Sequence, residues 1–190
     1  MEKFKDKFRI ESNRMPGWDY SGNGIYFITL VTQDRVCLFG EIQKGNMVLS
    51  EFGKIAQEQW SKSFDMRKEL FLDEYIIMPN HLHAIIRLEK SSEQNNESTH
   101  DKKGNKPAFY RKPRSVSSFI AGYKSAVIIE IDNYIDRQKL TVDKFNRSNR
   151  LWQRNYYDHI IRDEKEYWRI KKYIKNNPEN WKEEDNDLDF

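Results

Sequence analysis

A chain of 190 residues and 23.0 kDa has the size of one domain with a sizeable core, and its 11 Phe, 10 Tyr and 5 Trp are too many for a disordered polar segment. No apolar run approaches the ~20 residues that cross a bilayer, residues 1–9 hold no secretory segment, and the single Cys37 excludes an internal disulfide or a cysteine zinc cluster, so a reduced, soluble, intracellular protein is expected. The net charge of +3 hides an asymmetry: residues 182–190 carry one base and five acids, which leaves 32 bases against 25 acids in residues 1–181, a balance that attracts polyanions.

In chain order, Gly22-Asn23-Gly24 is a turn and the aromatic and β-branched run Tyr26–Thr32 a strand. Ser50 is placed to cap a helix whose Phe52, Ile55, Ala56 and Trp60 share one face. Leu70–Met78 reads as a second strand, broken at Pro79-Asn80, and His81–Leu88 as the strand that returns beside it. Residues 89–107 contain no hydrophobic side chain and read as a mobile polar insert within one domain. From Val116 the helical period returns, with Phe119, Ile120, Tyr123, Val127, Ile131, Tyr134 and Ile135 on one stripe. Leu151–Ile161 reads as a last strand, and Asp163, with Glu166 as its capping-box partner, opens a last helix bounded by Pro178.

The order strand, helix, strand, strand, helix, strand, helix predicts an α+β fold. It is the ferredoxin-like split β-α-β arrangement, an antiparallel sheet with helices on one face, followed by a C-terminal helix that carries Tyr173. Residues 1–181 form a single domain on this reading, with 182–190 as an acidic tail.

Four histidines are present, and two of them form His81-Leu82-His83. Residues two apart on a strand point to one face, so both imidazoles project together while Leu82 enters the core. Such a pair suits a divalent metal; two strand histidines with no chemical role are the alternative. On the last helix Tyr173 and Asn177 are four residues apart and share a face. An amide oxygen is a candidate third metal ligand and a phenol one turn away a candidate nucleophile; alternatively Tyr173 packs and Asn177 ends the helix. Tyr156, Tyr157 and Tyr167 are weaker candidates, His159 reads as a structural strand histidine and His100 as a solvated one.

Between Lys102 and Lys124 there are seven bases and no acid. Arg111, Lys112, Arg114 and Lys124, with Phe109 and Tyr110 able to stack on unpaired bases, are the candidate DNA-binding residues. The competing readings are a solvated basic loop and aromatics that anchor the loop to the core.

Met78-Pro79-Asn80-His81-Leu82-His83 followed by Ala-Ile-Ile-Arg-Leu resembles the His-hydrophobic-His strand of the single-tyrosine HUH transposases, and more narrowly of the REP-associated tyrosine transposases. Residues 24–35 are similar to that family's first strand, 117–131 to its second helix, and 151–162, then Tyr173-Ile-Lys-Asn-Asn-Pro178 and Trp181, to its C-terminal signature. The resemblance covers most of residues 20–181; the polar insert and the acidic tail depart from it. It implies that His81, His83 and Asn177 hold Mg²⁺ or Mn²⁺ and that Tyr173 is the nucleophile. The implied reaction is metal-dependent cleavage and transfer of single-stranded DNA next to a hairpin, through a 5′-phosphotyrosine. A monomer or homodimer in the cytoplasm, nucleoid-associated in a bacterium, would fit. A hairpin-binding regulator that does not cut and a zinc hydrolase are the alternatives.

Overall fold

The computed structural model describes residues 18–90 and 113–181, together with the backbone of 3–4 and 7–8. Most of the polar insert, His100, Phe109, Tyr110, Arg111, Lys112 and the acidic tail lie outside the described residues. The elements in order are the short pair β1 (Lys3–Phe4) and β2 (Lys7–Phe8), then β3 (Gly24–Val31), β4 (Gly40–Gln43), β5 (Asn46–Leu49) and α1 (Glu51–Asp65). They continue with β6 (Leu70–Ile77), β7 (His81–Leu88), α2 (Val116–Gln138), β8 (Tyr157–Ile161) and α3 (Glu164–Asn176).

The main sheet has four strands in the order β6-β7-β3-β8, every neighbouring pair antiparallel. Two strand–helix–strand units interleave: α1 links β3 to β6 on either side of β7, and α2 links β7 to β8 on either side of β3. The fold is α+β, a four-stranded antiparallel sheet with helices, as the element order predicts.

Alternation along the strands divides the interior in two. Tyr26, Ile28, Leu30, Leu82, Ala84, Ile86 and Leu88 point to the main core beneath α1 and α2, where Trp60, Phe119, Tyr123, Val127 and Ile131 meet them. Phe27 and Ile85 point the other way and join Ile161 with Ile170 and Ile174 of α3. The third helix therefore covers the opposite face, and His81 and His83, in phase with Ile85, face it.

Ser50 caps α1 by accepting from Gly53 N at 3.1 Å, and Asp163 caps α3 by accepting from Glu166 N at 2.8 Å. Glu166 does not return the bond to its cap: it accepts from Arg162 N at 3.1 Å and lies 2.7 Å from His159 Nε2. The reciprocal box occurs on α2, between Ser115 and Ser118.

The expected strand Leu151–Ile161 is shorter, Tyr157–Ile161, preceded by one bridge between Thr32 and Trp152. Between the bridge and the strand, Lys124 Nζ donates to the carbonyls of Gln153 (2.9 Å) and Asn155 (3.0 Å). The β4–β5 hairpin, absent from the sequence reading, turns through Lys44 and Gly45, at φ 51° and 75°, the left-handed pair a two-residue hairpin loop favours.

Candidate active site

Register brings the site together. Thr29 of β3 pairs with His83 of β7, and its Oγ1 lies 2.8 Å from His83 Nδ1. Phe27 stacks on the same imidazole at 5.3 Å between ring centroids. His81 and His83 have centroids 4.4 Å apart and are both buried. His81 Nδ1 is 2.7 Å from Asn80 Oδ1, and the Trp181 ring lies 5.8 Å from the His81 ring.

A bulge in β6 helps to place α3 over this pair. Pairing slips between Leu72 and Glu74, so Asp73 and Glu74 both turn towards α3 instead of to opposite faces. Asp73 binds Lys171 and accepts from the Tyr167 hydroxyl at 2.6 Å, and Glu74 lies 3.3 Å from Lys175. These residues bracket Tyr173 on the helix, and Ile170 and Ile174 press it onto the sheet.

Held in this way, the Tyr173 hydroxyl lies 3.3 Å from His83 Nε2, with its ring edge-on to Phe27 at 6.2 Å. The Asn177 side chain interacts with both His81 and Tyr173. One chain thus unites the four residues singled out for the site: His81, His83, Tyr173 and Asn177.

Burial pushes His81 down to about 3, the nearby Arg35 charge adding to it and Asn177 opposing it. Burial, and then His81, also hold His83 well below the usual histidine range. Both imidazoles are therefore neutral at neutral pH, with lone pairs to offer. Burial raises the Tyr173 phenol above its ordinary value, although Asn177 pulls the other way, so the phenol is protonated.

His81 Nε2 is buried with no hydrogen-bond partner, an orphaned acceptor whose cost a cation would relieve. Among the described residues no three of His, Cys, Asp and Glu cluster as a metal site, and the further polar side chain at the histidine pair is the Asn177 amide. Two imidazole nitrogens and an amide oxygen fit a divalent ion, and the set is electrically neutral.

The other candidates fall elsewhere. Arg114, with φ 51°, borders a hollow of about 550 Å³ with Arg67, Lys68 and Ser118. Lys124 anchors the Gln153 and Asn155 carbonyls, and burial brings its ammonium down to about 8. Tyr167 is tied to Asp73, Tyr156 lies 3.3 Å from Ser117, and Tyr157 packs edge-on to Phe27. His159 is engaged with Glu166. Sequence reasoning missed Phe27, Thr29 and Asn80 as partners of the histidines. Alternation puts Phe27 and Thr29 on one face, but which strand lies opposite is set by tertiary register.

No protein-family model matches the chain. An uncharacterized protein of Haemophilus influenzae is 34% identical over 180 residues, covering 91% of this chain and 90% of that one. The solved structure of a REP-associated tyrosine transposase bound to a REP hairpin superposes with a TM-score of 0.50 at 17% identity, covering 96% of this chain and 76% of the other. At that identity the likeness is one of fold. Among the described residues no helix is long and apolar enough to cross a membrane.

Proposed function

The chain belongs to one family with the Haemophilus influenzae protein and has the fold of a REP-associated tyrosine transposase, and from that premise we propose that it cleaves and rejoins single-stranded DNA next to a hairpin through Tyr173. The observation that carries this reading is the approach of the Tyr173 hydroxyl to within 3.3 Å of His83, from α3 to β7.

His81, His83 and Asn177 would hold Mg²⁺ or Mn²⁺. Bound there, the cation would supply charge stabilisation to a non-bridging oxygen of the scissile phosphate and orient it. The neutral donor set leaves the charge of such an ion uncompensated by protein, which favours an anionic ligand such as a phosphodiester. An ordinary tyrosine is protonated at neutral pH and a poor nucleophile without help; Asn177 acts on the phenol in the direction that eases its ionisation.

In the proposed step Tyr173 Oη bonds to phosphorus and the bond from phosphorus to the 3′ oxygen breaks. The phenol gives up a proton and the 3′ oxygen gains one, leaving a 5′-phosphotyrosine and a free 3′-hydroxyl. Because one phosphoester replaces another, a second 3′-hydroxyl can reverse the exchange and join strands without an external energy source. The proximity of Tyr173 and the histidines within one chain supports a tyrosine that serves its own subunit.

The hollow beside Arg67, Lys68 and Arg114 is the candidate grip on the DNA backbone. It lies near Leu70, which pairs with Leu88. Strand β7 runs from His81 to Leu88, roughly 20 Å at ~3.3 Å per residue, so this grip would act well away from the scissile phosphate. Lys124, with its ammonium committed to two carbonyls, is left out of the proposed surface.

The test is transfer of the downstream strand, labelled at its 3′ end, from hairpin substrate to protein in the presence of Mn²⁺. Wild type is expected to acquire the label in denaturing gels and Tyr173→Phe to acquire none. Tight hairpin binding with no label on wild type would identify a binding regulator instead.

A further inference from the structure

Asn80 sits between β6 and β7, buried, with its side-chain amide held at both ends. Its Nδ2 donates to the backbone carbonyl of Arg35 at 3.2 Å, and its Oδ1 lies 2.7 Å from His81 Nδ1. A carbonyl oxygen only accepts, so the Arg35 contact decides which end of the amide is the nitrogen. The amide oxygen that then faces the imidazole also only accepts, so the His81 proton resides on Nδ1. Nε2 is left with an in-plane lone pair, and this is the buried atom without a partner. A histidine side chain free in water prefers the opposite tautomer, with its proton on Nε2 and no lone pair there.

The segment that presents the Arg35 carbonyl is itself held in an uncommon shape. Asp34 and Arg35 have φ of 53° and 56°, a left-handed conformation that is unfavourable for residues other than glycine. Thr32 N donates to the Asn80 carbonyl at 2.9 Å, and the Thr32 hydroxyl lies 2.9 Å from that carbonyl and from the Val36 carbonyl. Strained backbone that persists beside a buried polar network is over-determined by its surroundings, and such strain clusters at working sites.

We infer that Asn80 is a positioning residue: it holds His81 in the Nδ1–H tautomer and so keeps Nε2 available as a donor to a divalent cation. The inference rests on the proposed reading of His81 as a metal donor, but the tautomer itself requires no cation and can be read without one. Outer partners that fix a ligand histidine in this way typically change metal affinity by about 10- to 100-fold when removed.

The test uses metal-free full-length protein labelled with ¹⁵N at its four histidines, with long-range ring correlations reporting each tautomer, and calorimetric titration with Mn²⁺. In wild type His81 is expected to carry its proton on Nδ1. Asn80→Ala should move the proton to Nε2 in a large fraction of molecules and weaken Mn²⁺ binding by about 10- to 100-fold. Asn80→Asp keeps an oxygen acceptor while losing the bond to Arg35, and should restore both the tautomer and the affinity to within a few-fold. A role in stability alone would cost both variants stability and leave the tautomer and the affinity as they were. A wild-type His81 protonated on Nε2, no Mn²⁺ binding by wild type, or an Asn80→Ala protein that binds Mn²⁺ as tightly as wild type would each overturn the inference. Should Asn80→Ala fail to fold, the wild-type spectrum decides. If the tautomer and the affinities are as expected and no DNA adduct forms, the strand-transfer reading fails while this one stands.

Discussion

The Tyr173 hydroxyl and His83 Nε2, 90 residues apart in the chain, lie 3.3 Å from one another across the α3–β7 interface. Removing the hydroxyl should abolish the covalent DNA adduct while leaving the fold in place, because the ring still packs against Phe27 and His83. Tyr173→Phe should lose less than about 1 kcal/mol in urea unfolding and bind hairpin DNA within a few-fold of wild type.

Phe27 is the wall behind both groups, stacked on His83 and edge-on to Tyr173. Phe27→Ala should cost about 3–5 kcal/mol of stability, as buried aromatic truncations do. Phe27→Leu keeps most of the volume and should cost less than about 1.5 kcal/mol. With the imidazole and phenol less firmly held, it should still slow adduct formation by roughly ten- to a hundredfold.

Asp73 tethers α3 through Lys171 and Tyr167. Burial pushes its carboxyl up, but hydrogen bonds from Lys171 and Tyr167, with the charges of Lys171 and Arg87, win and hold it below its ordinary 3.8. The folded state therefore favours the carboxylate, and the stabilisation is present above that value and lost as pH falls through the lower folded one. Wild type should exceed Asp73→Asn by about 0.2–1 kcal/mol at pH 7, and the gap should close on acidification below pH ~3.8 in paired urea titrations.

The sign reverses for Lys124, whose ammonium burial brings down from 10.5 to about 8. Below that value it is charged in both states and the folded state bears its desolvation. Between about 8 and 10.5 the unfolded chain binds more protons, so stability rises with pH. A neutral amine still has two hydrogens for the Gln153 and Asn155 carbonyls. Wild type should gain stability over this window relative to Lys124→Met, measured by denaturant unfolding at each pH.

Arg114 and Lys68 flank the basic hollow at the far end of the sheet. If each neutralises one DNA phosphate, Arg114→Gln and Lys68→Gln should each reduce the slope of log affinity against log salt by about 0.7–0.9. Tyr173→Phe should leave that slope unchanged, which separates gripping from chemistry.

Much of this was legible in the sequence because it depends on local periodicity. His81–Leu88 is a strand with Leu82 in the main core, and Val116, Phe119, Ile120, Tyr123, Val127, Ile131 and Ile135 are all buried along α2. The expected face shared by Tyr173 and Asn177 follows from a spacing of four on α3, and both contact the histidine pair. What was not legible depends on tertiary placement. Thr29 meets His83 only through the β3–β7 register, and the Asp73 bulge, which turns two adjacent carboxylates to one face, has no local sign in Leu-Phe-Leu-Asp-Glu-Tyr. Leu151 and Trp152 are buried as a strand would bury them, yet they make a single bridge to Thr32 and the ladder begins only at Tyr157, a difference set by tertiary placement.

The most direct measurement maps the covalent bond itself. Protein incubated with hairpin DNA and Mn²⁺ is digested with protease and nuclease, and the residue bearing the 5′ phosphate is identified by mass spectrometry. The predicted result is a single phosphotyrosine at Tyr173, dependent on His81 and His83. Modification at Tyr156, Tyr157 or Tyr167 instead, or an adduct that survives Tyr173→Phe, would contradict the account.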